Sequence, residues 1–320
     1  MGRRVARVLA LSALVIGLVA ASGAQPASGE DEDHPVGYTF GQRSAGADGL
    51  NGIAACHFYK VDLSTGAATQ RDPSGVPCGD GLTFDDDGTL YAYRNLSTAV
   101  TTVSQLITVD PHNGAQHVIG PLPSVLVGGG GMTFDAEGDL WLYAATLGDP
   151  QCTPDFSYCL YEVNPKTAHA EFVGKAPAAL GVFGLAADCE DVLAITSPPP
   201  AGPVGGSRTD LDEVDTDSAA LSFLVDLPGV GFPSGLDFED DGDLWAIGST
   251  LSKGGPTSAV YKIDPDNGNA DPRLITVGGA ALRGSVTGLA VDPISCDDPG
   301  PEPTPPPTPA PVVVAPTFTG

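Results

Sequence analysis

Gly235-Leu-Asp-Phe-Glu-Asp-Asp-Gly-Asp-Leu-Trp-Ala-Ile-Gly-Ser249 decides the fold, because the chain writes it more than once. Gly81-Leu-Thr-Phe-Asp-Asp-Asp-Gly-Thr-Leu-Tyr91 and Gly131-Met-Thr-Phe-Asp-Ala-Glu-Gly-Asp-Leu-Trp141 match it almost position for position. Gly184-Leu-Ala-Ala-Asp188 and Gly288-Leu-Ala-Val-Asp292 are weaker copies. A second signature alternates with the first: Val61-Asp-Leu-Ser-Thr-Gly66, Val109-Asp-Pro-His-Asn-Gly114, Val163-Asn-Pro-Lys-Thr-Ala168, Val214-Asp-Thr-Asp-Ser-Ala219 and Ile263-Asp-Pro-Asp-Asn-Gly268. Both ladders step by about fifty residues, a period that signals a propeller or a solenoid.

Within each period the pattern is that of strands. Leu106-Ile-Thr-Val109 and Val260-Tyr-Lys-Ile263 alternate and stop at an Asp-Pro turn, and no long stretch carries helical periodicity. The unit reads as strand a (Gly-Leu-x-Phe), an acidic turn closing on Gly, strand b (Leu-Trp or Leu-Tyr), a variable connection, strand c, an Asp-Pro-x-x-Gly turn and strand d. Four antiparallel strands per unit make a β-propeller blade. Val36-Gly-Tyr-Thr-Phe40 reads as a strand b and Gly288 to Asp292 as a lone strand a, so the two ends share one blade and close the ring without an exposed edge. The fold expected is all-β, five blades over 36–296, with six as the alternative if Pro198 to Asp210 hides a degenerate blade.

Outside that span the composition changes. Met1-Gly-Arg-Arg-Val-Ala-Arg7, an apolar run from Val8 to Ala20 and small residues to Ala24 read as a secretory signal, 1–24, with cleavage after Ala24 or Gly29. The run is shorter than the roughly twenty residues a membrane span requires, and no later stretch is long and apolar enough. Residues 25–35 form an acidic lead-in, 297–311 a proline-rich extended spacer, and 312–320 an apolar tip that reads either as a loose tail or as a strand for a sheet edge. Secretion fits six cysteines with no Cys-x-x-Cys. The pairing expected is Cys56 with Cys78, Cys152 with Cys159 and, by elimination, Cys189 with Cys296.

Forty acidic residues against 14 basic ones leave a net charge of −26. Nucleic acid, which demands a basic surface, is excluded as a partner. The expectation is a monomer whose unknown ligand or protein partner meets the long-loop face.

The chemistry is sought on the loops. Asp237-Phe-Glu-Asp-Asp-Gly242 partly imitates a calcium loop, yet Gly248 stands where the bidentate Glu would fall, and the turn recurs in other repeats. Its acids are therefore read as turn caps, with no cofactor expected and a calcium-like ion as the alternative. Topology puts the a–b and c–d turns on one face and the long b–c and d–a loops on the other. The candidate binding residues on that second face and channel rim are Arg71, Asp80, Arg94, Ser234, Arg283 and Thr287, with Gly130 and Phe183 completing the rim. One Asp with a Ser and a Thr makes neither an acid–base pair nor a metal cage, so no catalytic or metal residue is assigned. The five histidines are scattered and read as surface residues, and Trp141 and Trp245 as inter-blade core.

The two signatures together resemble the repeats of the NHL, senescence-marker/gluconolactonase and streptogramin-lyase-like propellers, over Val36 to Cys296. The resemblance implies the propeller fold. Gluconolactonase-like members hold a divalent metal with an early Glu and inner-strand Asn and Asp. Here Pro35-Val-Gly-Tyr-Thr-Phe40 replaces the Glu-Gly-Pro start, and Asp237 is the inner-strand carboxylate that aligns. No catalytic residue is carried over. The leading reading is a secreted or envelope-associated binding or scaffold propeller; a metal-dependent lactonase-like hydrolase or lyase is the alternative.

Overall fold

The computed structural model describes residues 34–43, 56–72, 75–97, 102–122, 125–147, 149–152, 158–177, 180–197, 208–252 and 255–292. The signal, most of the lead-in, the proline-rich spacer, the apolar tip and Cys296 lie outside these residues.

The chain begins with β1 (Val36–Arg43), β2 (Cys56–Asp62) and β3 (Ala67–Gln70). Three sheets of four strands follow: β4 (Asp80–Phe84), β5 (Leu90–Ser97), β6 (Thr102–Val109), β7 (Gln116–Pro121); β8 (Val125–Phe134), β9 (Leu140–Leu147), β10 (Tyr158–Val163), β11 (Ala170–Lys175); and β12 (Gly181–Ala187), β13 (Val192–Ser197), β14 (Asp210–Asp215), β15 (Ala220–Asp226). A fourth holds β16 (Phe232–Phe238), β17 (Leu244–Ser252), β18 (Gly255–Ile263) and β19 (Ala270–Leu274). A short hairpin, β20 (Thr276–Val277) and β21 (Ala280–Ala281), and the last strand, β22 (Gly284–Val291), return to the first sheet. That makes five blades among the described residues; most of Pro198 to Asp210, where a degenerate sixth was sought, lies outside them.

Blade one is sealed as the repeat order requires. β22 pairs antiparallel with β1, with Gly37 opposite Val291 and Gln42 opposite Ser285. β20 lies parallel to the outer strand β3, with Thr276 beside Ala67, and covers an edge that would otherwise be open. Nothing in the repeat marks this hairpin.

Each apolar strand face packs against the neighbouring blade, so the core is five separate layers. Tyr93 and Leu106 of blade two meet Met132 and Leu142 of blade three. Trp141 and Tyr143 of blade three meet Val182 and Val214 of blade four, and Leu193 and Leu211 of blade four meet Leu236 and Tyr261 of blade five. Trp245 and Ile247 of blade five meet Tyr59 and Leu289 of blade one, whose Phe40 and Phe58 meet Leu82 and Leu90 of blade two. Five seams close a ring.

The Gly of each Gly-Leu (or Gly-Met) pair explains how five blades fit around one axis. A Cβ on Gly131 would stand 2.1 Å from Leu185 N, one on Gly184 2.7 Å from Leu236 N, one on Gly235 2.5 Å from Leu289 N, and one on Gly288 2.9 Å from Leu82 N. A Cβ on Gly81 would stand 3.1 Å from Met132 Cβ, completing the circuit. Inner strands thus touch backbone to backbone. The register between inner strand and β-partner also shifts in every blade at this point, between Tyr38 and Phe40, Asp80 and Thr83, Leu126 and Gly130, Val182 and Gly184, and Pro233 and Gly235.

Candidate functional site

Bulges of this kind re-aim side chains. Phe183 and Ser234 are the extra residues of the bulges in blades four and five, and so leave the ladder facing the channel. With Asp80, the first residue of β4, and Thr287 of β22, they line a pocket of about 350 Å³ at the end of the channel where the long loops lie. Phe232, Pro233, Ser249, Ser285 and Val286 complete it. Four of the five rim residues read from the repeat therefore come together.

Hydroxyls frame the pocket. Thr287 Oγ1 donates to Gly79 O at 2.8 Å, joining blade one to blade two, and Ser234 Oγ donates to Ile247 O at 3.4 Å. The apolar part is aromatic: Phe183 lies 6.1 Å from Tyr158, centroid to centroid, and Phe232 is 50% exposed.

Asp80 is the carboxyl of the mouth. Sequence reading placed it in a loop before the inner strand, but it opens β4. Its Oδ1 accepts from Gly81 N at 3.1 Å, and the residue is half-buried. Burial pushes its pKa up to about 7, against the opposing effect of the Gly81 N–H and the Tyr93 hydroxyl. Burial, then the Asp80 charge, also raises Tyr93 well above the ordinary phenol value and raises Tyr158. Phe232 lines the pocket while Tyr93 and Tyr158 act on Asp80 beside it; the repeat places Tyr158 at the end of a long-loop-face connection, and Tyr93 and Phe232 fall in neither shared signature.

The three arginines do not line the pocket. Arg94 braces blade two: Nε and Nη2 donate to Gln105 Oε1 at 3.1 and 3.0 Å, Nη1 to Gln116 Oε1 at 2.6 Å, and Gln116 Nε2 to Pro77 O at 2.8 Å. Arg71 donates its backbone N–H to Phe58 O, and its charge acts on Tyr38. Arg283 is exposed and bridges Thr257 through the backbone.

On the opposite face the acidic turns serve the scaffold. Asp135 Oδ2 accepts from Trp141 Nε1 at 2.6 Å, and Glu239 Oε2 from Trp245 Nε1 at 2.8 Å. The tryptophans are buried between blades. Glu239, Asp241 and Asp243 gather their oxygens within 4.8 Å. Glu239 also holds Trp245 and Asp243 holds Lys262, so two of these carboxylates are engaged within the scaffold. Asp237, the inner-strand carboxylate of the resemblance, is committed as well. Its Oδ2 accepts from Val291 N at 2.8 Å and its Oδ1 from Phe238 N at 3.0 Å, tying blade five to the closing strand, while burial pushes it up to about 8.

Two disulfides are as read, Cys56–Cys78 and Cys152–Cys159. Cys189 is disulfide-bonded, and its expected partner Cys296 lies outside the described residues. One histidine departs from the surface reading. His57 Nδ1 lies 2.9 Å from Oδ2 of buried Asp72, which also accepts from Phe58 N and Gly75 N, inside the loop closed by Cys56–Cys78. Among the described residues no helix is long and apolar enough to cross a membrane.

No family profile and no curated protein matches the chain. Solved structures do. The periplasmic gluconolactonase PpgL of Pseudomonas aeruginosa aligns at 12% identity and a TM-score of 0.42, over 82% of this chain and 100% of that one. TolB of Acinetobacter baumannii aligns at 12% identity and a TM-score of 0.44, over 82% of this chain and 68% of that one.

Proposed function

We propose that this chain is an exported binding propeller that seats a small ligand at the channel mouth, over Asp80. The observation that carries the reading is the convergence of Asp80, Phe183, Ser234 and Thr287, from four blades, on one pocket. Its volume of about 350 Å³ falls in the range of small-molecule sites, and a mostly apolar wall with a few placed polar groups is how such sites are built. Hydrolysis needs more than the mouth offers. A single carboxyl there can act as acid or as base but not as both partners of a pair, and the arginines that would stabilise an oxyanion are elsewhere. The disulfides and the signal-like N-terminus support an extracytoplasmic site of action.

The test is a thermal-shift screen of amines, polyols and sugar acids on the purified mature protein, run beside metal analysis and a lactone and ester turnover assay. The expected result is a stabilising ligand whose effect disappears in Phe183→Ala. Metal-dependent lactone turnover abolished by Asp80→Asn would replace the binding reading with the hydrolase.

A further inference from the structure

Resting on the reading of the mouth as a ligand site, we infer that the ligand is a small organic cation, an amine or quaternary ammonium, held between the Asp80 carboxylate and the faces of Phe183 and Phe232.

The charges decide between ligand classes. Four carboxylates elsewhere have a Lys or Arg beside them: Asp243 has Lys262, Asp210 and Asp226 share Arg208, and Asp271 has Arg273. Among the described residues no cationic side chain acts on Asp80. An anionic ligand would thus meet a carboxyl, no counter-charge and a chain carrying −26 overall. A cation would supply the charge the site lacks.

The aromatic wall argues the same way. An aromatic face attracts a cation within about 6 Å of its centroid, and a carboxylate beside such faces makes the cage that selects ammonium groups. The protein already uses this contact on its surface, with Arg208 5.3 Å from the Phe223 centroid and Lys262 and Arg273 each 5.7 Å from that of Trp245. Phe183 and Phe232 turn toward the pocket with no cation of the protein's own over them among the described residues. Phe232 is 50% exposed at that wall.

Proton linkage follows. The titratable groups facing Asp80 are the phenols of Tyr93 on β5 and Tyr158 on β10. The residues supplied by β12, β16, β17 and β22 are Phe183, Ser234, Ser249, Ser285 and Thr287, and none titrates near neutrality. With the empty-site carboxyl at about 7, a cation recruits the ionised form and expels the proton. The competent fraction rises about tenfold between pH 6 and pH 8, and apparent affinity rises with it.

Calorimetry on the full-length mature protein at pH 8 tests this with choline, its uncharged isostere 3,3-dimethylbutan-1-ol, and gluconate. Choline should bind at least tenfold more tightly than the isostere, gluconate should not bind, and choline affinity should fall about tenfold at pH 6. Asp80→Asn should remove both the preference for charge and the pH dependence, and Phe183→Ala should weaken choline without restoring the isostere. Equal binding of choline and isostere, lost in Phe183→Ala, overturns the cation and keeps the mouth. Choline binding untouched by either substitution overturns both. Absence of choline binding overturns the cation, whatever the wider screen finds at the mouth.

Discussion

Gly131→Ala measures how tightly the ring is drawn. Gly131 has an ordinary φ, so an alanine there carries no backbone strain of its own, and its cost comes from what the new methyl meets. That is Leu185 N at 2.1 Å and Gly184 C at 2.4 Å, both backbone atoms of the next blade. Ordinary contact begins near 3.4 Å, so blade four must retreat by more than an ångström, and it is itself wedged against Gly235 and Leu236 of blade five. Overpacking where side chains can yield costs about 1–3 kcal/mol, and a closed ring of backbone yields less, so at least about 3 kcal/mol is expected. For a chain of this size that corresponds to a fall of about 6–12 °C in unfolding temperature. The control is Gly229→Ala, where φ is also ordinary and the nearest atom is 3.5 Å away; it should be neutral or slightly stabilising. Calorimetric unfolding of both variants reads the difference. If Gly131→Ala melts within a degree of Gly229→Ala, the blades are not in backbone contact at the axis and the five-seam account is wrong.

Other perturbations address the seam and the loops. Asp237 keeps its proton in the folded protein up to about pH 8 but releases it near 3.8 when unfolded, so its contribution falls as pH rises from 4 to 8. The unfolding temperature of the wild type should therefore rise relative to Asp237→Asn as pH drops from 8 to 5, and parallel curves would refute the burial argument. Asn also turns an N–H toward one of the two backbone donors, so the variant should be weaker at pH 5 by about 1 kcal/mol. Removing Cys56–Cys78, with a separation of 22 residues, should cost more than removing Cys152–Cys159, with a separation of 7, by about 1 kcal/mol if chain entropy dominates. Denaturant titration of the paired serine variants reads that order, and its reversal would show that His57–Asp72 holds the longer loop without its bond.

The fold was legible because a propeller repeats its physics. Gly-Leu recurs since every blade meets the same crowding at the axis, and in blades three and five the acidic turn also supplies the acceptor for the N–H of the Trp that follows it, Trp141 and Trp245. Sharing one blade between the ends could be read from the phase of the repeat at Val36 and Gly288. The site was legible only where it coincides with that repeat, at Asp80, Phe183, Ser234 and Thr287. Phe232 reaches the mouth as the first residue of β16, a strand end that no period records. Placement on a long-loop face says nothing of where a long side chain finds its acceptors, and Gln105 and Gln116 hold Arg94. Asp237 aligned with a ligating position by sequence while its oxygens answer to the backbone of a neighbouring blade.

The latch between β1 and β22 makes completion of the molecule a matter of timing. A nascent chain halted before Gly284 holds four whole blades and one that lacks its innermost strand, with β1 waiting along a bare row of amides and carbonyls. No earlier segment can substitute, because the Asp237 tie and the last glycine contact both await the same eight residues. The ring therefore stays open, and dependent on whatever shields it, until those eight residues are available.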